Sequence, residues 1–216
     1  MVNDIFLSCN HLNESKVSAG RFLKNQMKKG RLEAFSDGVL AIIITIMVLE
    51  MEIPSGADFT ALKEVFPVFS AYAGSFVYLG IYWNNHHHLL QVIEKVTGGI
   101  LWANLNLLFW LSLFPFATAW LGSNHLEEAP VALYGIILLL AAIAYKILVY
   151  FVVKNEGENS LVGKYLGNDK KEIVSILLYG VGVIAAFFEP VISYCMYILV
   201  AVLWFIPDTR IEKHLE

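Results

Sequence analysis

Residues 31–49 read RLEAFSDGVLAIIITIMVL, and this stretch decides the fold. Polar side chains open it, whereas the residues from 39 onward are apolar except for Thr45. A helix needs about 20 mostly apolar residues to cross a bilayer. Backbone amides in lipid must be paired within the segment, which favours a helix. We therefore predict a membrane-spanning helix over residues 33–53.

The rest of the chain has the same apolar character. Of its 216 residues, 57% are hydrophobic and 16% are charged, and the mean hydropathy is +0.62. Soluble domains usually carry about 25% charged residues and about 45–50% apolar ones. The sequence contains neither a phosphate-binding glycine loop nor a nucleophile elbow. It predicts an all-α integral membrane protein and not an enzyme.

Further apolar stretches divide the chain into spans. The stretch after Ile173 is too long for one helix, and Glu189-Pro190 interrupts it midway, where proline ends a helix. Six transmembrane helices are predicted, over about 33–53, 62–90, 98–122, 130–153, 172–188 and 190–207. They form one transmembrane domain, 31–207, between an N-terminal segment, 1–30, and a tail, 208–216.

The basic residues are distributed unevenly between the two ends of these helices. Thirteen of the 15 Lys and Arg residues fall on the side that carries both termini. The opposite side keeps Lys63 alone, and Lys146 lies within the fourth span. Because Lys and Arg are enriched in cytoplasmic loops, both termini are predicted to be cytoplasmic. This split also supports an even number of helices.

Ser36 and Asp37 stand at the mouth of the first predicted helix. Polar groups in lipid are costly, so both side chains should have partners. Arg31 is the nearest cation, but at helical pitch it does not share a face with Asp37. Asp37 is expected either to pair with another helix or to act as a helix cap, and the simplest interpretation is that Ser36 and Asp37 both cap the first helix. The residues alone leave both interpretations open.

Residues 86–88 are three consecutive histidines. Neighbouring helical residues point about 100° apart, so these rings cannot converge on one metal ion without unwinding the helix. We predict no metal site here. One or two of the rings are expected to hydrogen-bond the cytoplasmic end of the bundle.

Three charged residues lie within or at the end of predicted spans. Lys146 is expected to extend its amino group to the membrane interface, and a substrate-binding role is the alternative. Glu50 and Glu52 end the first span, where they either attract cations to a pore mouth or simply mark an interfacial helix end.

Three motifs resemble the transmembrane protein 175 family of potassium channels. The Arg-x-x-x-Phe-Ser-Asp pattern at 31–37 resembles the family signature that opens the first of six helices. WNNHHHL at 83–89 resembles the Asn-His-His segment that ends the second helix. LWAN at 101–104 and FPF at 114–116 resemble the third. A single six-helix repeat is similar to the prokaryotic members, which assemble as tetramers.

The resemblance implies a potassium-selective, leak-type channel in the plasma membrane of a prokaryote. It implies a homotetramer whose first helices line a central pore, with potassium as the permeant ion and no cofactor or nucleic-acid partner. Matched by distance from Asp37, Ile42 takes the place of a hydrophobic constriction and Thr45 that of a selectivity hydroxyl. Ile46 and Leu49 take the places of further hydrophobic rings. We call these four residues the pore stripe.

The resemblance also implies a set of residues that support the pore helix. Its members are Arg31, Phe35, Ser36, Asp37, His86, His87 and Asn104.

The pore stripe is physically reasonable. Its spacing of i, i+3, i+4 and i+7 puts all four side chains on one helix face. Isoleucine rings can gate by dewetting, and a hydroxyl can replace part of an ion's hydration shell. Neighbouring positions such as Val39, Ile43 and Met47 are apolar too. Periodicity alone therefore does not select the pore face.

Two functional classes remain for the sequence. It contains no Thr-Val-Gly-Tyr-Gly filter loop and no arginine-rich voltage-sensing span, so potassium selectivity would rest on the first helix. The alternative is a secondary transporter or small-molecule carrier, for which a charged or broken helix near mid-membrane is expected. Lys146 is the main candidate for such a feature, and we favour the channel.

Overall fold

The computed structural model describes residues 29–158, 160, 163–164 and 170–205. These residues form helices and their connections without a β-strand, which confirms the all-α prediction for this part of the chain. The longer helices are α1 (Lys29–Leu49), α2 (Leu62–Gln91), α3 (Gly98–Leu111), α4 (Phe114–Ser123), α5 (Glu128–Glu156), α6 (Lys170–Ala185) and α7 (Pro190–Phe205). Residues 1–28 of the predicted N-terminal segment and the predicted tail 208–216 lie outside the described residues.

Four helical segments are long and apolar enough to cross a membrane. They are α1, α2, α5 and the segment Gly98–Ser123, which comprises α3 and α4. The helices α6 and α7 have 16 residues each. At 1.5 Å per residue, each is about 24 Å long, which is shorter than a hydrocarbon core of about 30 Å.

The third predicted span contains a break that the sequence analysis did not predict. The helix stops at Leu111 and restarts at Phe114. Pro115 lies in the first turn of α4 and has no N–H to donate back to the end of α3. The hydroxyl of Ser112 donates to the Phe109 carbonyl oxygen at 2.7 Å and satisfies that carbonyl at the break. A proline thus turns one predicted helix into two.

Helix α5 lies at the centre of the helical bundle. It packs against α3, α4, α6 and α7, while α2 packs against α4 and α7. A buried hydroxyl cluster joins the elements: Ser75 Oγ lies 2.7 Å from Thr118 Oγ1 and 2.9 Å from the Tyr134 hydroxyl. Thr118 also donates to the sulfur of Met47 on α1 at 3.8 Å. Hydrogen bonds between helices help to hold membrane bundles together.

Close approach of α7 to its neighbours depends on two glycines. The fully buried Tyr197 ring lies between Gly135 of α5 and Gly182 of α6. A Cβ at Gly135 would lie 1.9 Å from the Tyr197 hydroxyl oxygen, and one at Gly182 would lie 2.5 Å from a ring carbon. Small residues at helix contacts let backbones approach closely.

We expect Gly135→Ala to lower the free energy of unfolding by about 1–3 kcal/mol, because the added methyl group overpacks a filled contact. Thermal unfolding of the purified protein in detergent measures the effect. Gly180→Ala is the matched control, since a Cβ at that helical glycine meets nothing within 4 Å. Equal unfolding midpoints for the two variants would contradict the role of Gly135.

Candidate functional site

Helix α1 has one buried face, although its sequence is apolar all round. The buried side chains are Leu32, Ser36, Leu40, Ile43 and Met47, each at most 6% exposed. Their spacing of four, four, three and four residues marks one side of a helix. This face packs on the remainder of the chain, so the opposite side of α1 is left uncovered.

The pore stripe lies on the uncovered side of α1. Ile42 is 59% exposed, Ile46 39% and Leu49 80%, and Thr45 is exposed as well. The exposed arc is wider than the stripe, because Phe35, Ala41 and Val48 are exposed too. The chain thus presents a broad, mostly apolar helix face that includes the four predicted residues.

The Thr45 hydroxyl combines a local hydrogen bond with an open position. It donates to the Ile42 carbonyl oxygen at 2.9 Å. A hydroxyl carries one donor and two acceptor lone pairs, so this bond uses the donor only. The oxygen of Thr45 stays able to accept, which is the property needed to contact a cation.

The buried face of α1 is tied to α3 and α2 by a chain of three polar side chains. The Asn104 amide donates to Ser36 Oγ at 3.0 Å, and Ser36 donates to the Leu32 carbonyl oxygen at 2.9 Å. His86 Nε2 lies 2.6 Å from the Asn104 side-chain oxygen. All three side chains are at most 2% exposed. We call Ser36, His86 and Asn104 the inner cluster.

A second set of contacts joins α1 to α2 on the exposed surface of the bundle. Trp83 Nε1 donates to a carboxylate oxygen of Asp37 at 3.0 Å. The Trp83 ring stacks on His87 at 5.8 Å between centroids, and the Gln91 amide donates to His87 Nε2 at 2.9 Å. His86 and His87 thus join different sets, as expected for neighbouring residues on a helix.

The capping interpretation of Ser36 and Asp37 is wrong. The chain is already helical from Lys29, the first described residue, so both residues lie inside α1 and not at its N-cap. The other interpretation, in which Asp37 pairs with another helix, agrees with the Trp83 contact. The sequence does not predict this contact, because an indole N–H that faces a carboxylate 46 residues earlier leaves no local pattern.

Arg31 and Phe35 occupy a different environment from the inner cluster. Both are exposed and line an open groove of about 590 Å³ between α1 and α3, together with Leu101, Asn104 and Leu105. Within the described part of the chain, Arg31 does not form an ion pair with Asp37. The structure therefore brings together Ser36, His86 and Asn104 and leaves Arg31 and Phe35 at the rim.

These features define a class of protein: an all-helical membrane protein whose first helix is held by buried polar contacts on one side and exposes an apolar face on the other. The profile described as "Endosomal/lysosomal potassium channel TMEM175" matches residues 31–115. A potassium channel of Chryseobacterium sp. (strain P1-3) is 56% identical over 190 residues, which cover 88% of this chain and 99% of that protein. The chain belongs to the TMEM175 family.

Other similarities extend to structure and to animals. The crystal structure of a lysosomal potassium-selective channel TMEM175 homolog from Chamaesiphon minutus superimposes with a TM-score of 0.71 at 26% identity. That match covers 82% of this chain and 96% of the other. The human endosomal/lysosomal proton channel TMEM175 is 38% identical over 87 residues, which is 35% of this chain and 17% of the human protein.

Proposed function

We infer that this chain is the subunit of a potassium channel. Its membership of the TMEM175 family and its 56% identity to a bacterial potassium channel along nearly the whole of that protein support this function. The similar solved structure is that of a potassium-selective channel. The ion channels of this family are not enzymes.

We propose that four copies place α1 around a central pore. The uncovered side of α1 is compatible with this arrangement, because Ile42 and Leu49 do not pack on the rest of the described chain and are free to face a lumen. In the tetramer, Ile42, Ile46 and Leu49 form hydrophobic constriction rings. Such rings gate by dewetting, without a filter loop.

Selectivity in this proposal depends on Thr45, between the isoleucine rings. Its hydroxyl oxygen replaces part of the hydration shell of a potassium ion as the ion passes. Glu50 and Glu52, both exposed, lie just beyond Leu49 and raise the local cation concentration at the pore mouth.

The inner cluster then serves as a support for the pore helix and has no catalytic role. It holds Ser36 against α2 and α3 through buried hydrogen bonds, and this fixes the rotation of α1 about its own axis. The rotation decides which side chains reach the lumen. Asp37, Trp83 and His87 brace the same turn of the helix from outside.

We further propose six spans per subunit, with α6 and α7 as the fifth and sixth. The turn between them, 186–189, contains Glu189 and precedes Pro190, where α7 begins. A bilayer can thin locally around short spans at modest cost. An even number of spans puts both termini on the same side of the membrane, and the distribution of Lys and Arg makes that side the cytoplasm. The proposed location of the assembly is the plasma membrane of a prokaryote, in keeping with the bacterial origin of its relatives.

Unitary current in a planar bilayer tests the function. The purified protein should give discrete openings whose reversal potential follows the potassium gradient and not a sodium or a pH gradient. Slow, saturable potassium flux without openings would instead indicate a secondary transporter. A reversal potential that follows the pH gradient would point to proton conduction, as the name of the human relative suggests for that protein.

A further inference from the structure

A lysine lies on the outer surface of α5 well inside the helix. Lys146 is exposed and precedes the helix end at Glu156 by ten residues, which is about 15 Å along the axis. At 29 residues, α5 is about 43 Å long and exceeds a hydrocarbon core of about 30 Å. Its last turn therefore extends into the headgroup region, and Lys146 lies closer to the middle of the bilayer than that turn.

Lys146 shares its helix face with one aromatic residue and one further cation. Tyr150 and Lys154 follow at i+4 and i+8, both exposed, and the Lys154 ammonium lies 5.9 Å from the centroid of the Tyr150 ring. The two lysines are about 12 Å apart along the axis, and both side chains are long enough to reach one phosphate layer. We call Lys146, Tyr150 and Lys154 the lysine face.

The same side of α5 becomes apolar away from its C-terminal end. Ile136 is 37% exposed, Leu139 and Ile143 are partly exposed, and all three precede Lys146 on the side of the helix that carries the lysine face. The surface thus has a cationic part near the end of the helix and an apolar part below it. An amphipathic molecule with an anionic end and a hydrocarbon end matches that order.

The protein itself supplies no counter-charge to Lys146 within the described residues. The carboxylate at the end of the helix, Glu156, is already engaged: one oxygen accepts from the Glu94 backbone N–H at 3.2 Å and from the Asn155 amide at 2.8 Å. A lysine that faces lipid is costly unless an anion or water reaches it.

We propose that the lysine face binds the headgroup of an anionic phospholipid, whose acyl chains lie along Ile136, Leu139 and Ile143. The phosphate lies between the Lys146 and Lys154 ammonium groups, and the Tyr150 ring packs against the glycerol region. Basic residues at this depth attract anionic lipids over zwitterionic ones because of the net charge of the headgroup. The binding is independent of the function proposed for α1.

Native mass spectrometry of the purified oligomer tests the proposal, with phosphatidylglycerol and phosphatidylcholine as probes. The unmodified protein should retain phosphatidylglycerol in preference to phosphatidylcholine. Lys146→Gln and Lys154→Gln should each weaken phosphatidylglycerol binding about fivefold, the effect of one surface cation. Lys146→Arg should keep the binding. Lys63→Gln is the matched control, because Lys63 is exposed at the opposite end of the bundle.

Three results would overturn the proposal. The first is equal retention of the two lipids by the unmodified protein. The second is unchanged phosphatidylglycerol binding in Lys146→Gln, which would mean that Lys146 only reaches the interface. The third is a smaller oligomer of Lys146→Gln in lipid-free detergent, which would assign the lysine to a subunit contact. If Lys146→Gln does not fold, phosphatidylglycerol binding is compared between Lys154→Gln and the unmodified protein instead, and unchanged binding there likewise overturns the proposal.

Discussion

Ile42→Asn should raise the single-channel conductance several-fold. The change replaces a 59% exposed apolar side chain on α1 by an amide of similar length. In the proposed pore, four amides would replace four isoleucine side chains at the constriction, and water would fill it more readily. Single-channel recording in a planar bilayer with symmetrical potassium measures the effect directly.

The control for this variant is Val48→Asn on the same helix. Val48 is 43% exposed and also lies outside the buried face of α1, but it is not in the pore stripe. Conductance should stay near its original value in Val48→Asn. If Val48→Asn raises the conductance and a correctly folded Ile42→Asn leaves it unchanged, the pore is lined by the Val48 side of the exposed arc and not by the pore stripe.

Asn104→Leu should remove about 2–4 kcal/mol from the free energy of unfolding. Leucine keeps the approximate size of the side chain but leaves the buried His86 Nε2 without its Asn104 partner and removes the hydrogen bond that Ser36 Oγ accepts, although Ser36 still donates to Leu32. Each buried polar group left without a partner costs about 1–3 kcal/mol. Thermal unfolding in detergent, followed by circular dichroism and gel filtration, measures the loss.

Two serines give a matched control for the same cluster. Ser36 and Ser70 both donate to the carbonyl oxygen four residues earlier, but Ser36 is fully buried and also accepts from Asn104, whereas Ser70 is exposed. Ser36→Ala should therefore destabilise the protein by about 1 kcal/mol or more, and Ser70→Ala should change little. Ser36→Ala should also add less to Asn104→Leu than it costs alone. Full additivity of the two changes would rule out the hydrogen bond as a source of stability.

Hydropathy alone predicts the positions of the long helices. The bounds of α2 and α5 lie within a few residues of the predicted spans 62–90 and 130–153. Such agreement arises because lipid leaves the backbone no alternative to a helix, so hydropathy and helix coincide. The break before Phe114 was missed, since its cause is a single Pro115 in a continuous apolar run.

In the candidate site, motifs identify the residues, whereas the structure is needed to show their contacts. The motifs at 31–37, 83–89 and 101–104 identified Ser36, His86 and Asn104, and these three side chains meet in the structure. Their contacts join residues up to 68 positions apart. Helical geometry already separates His86 from His87, but no local pattern could have assigned Asp37 to Trp83.

By itself, the sequence determined a helical membrane protein, the approximate position of its helices and the motifs that mark its family. These properties follow from hydropathy and residue identity, which each segment carries alone. Only the tertiary structure decided which side of α1 is covered, because an apolar helix without periodicity can pack on any face. The contacts of Ser36 with α3 and of Met47 with α4 fix that rotation, and they leave Ile42, Thr45, Ile46 and Leu49 on the uncovered side.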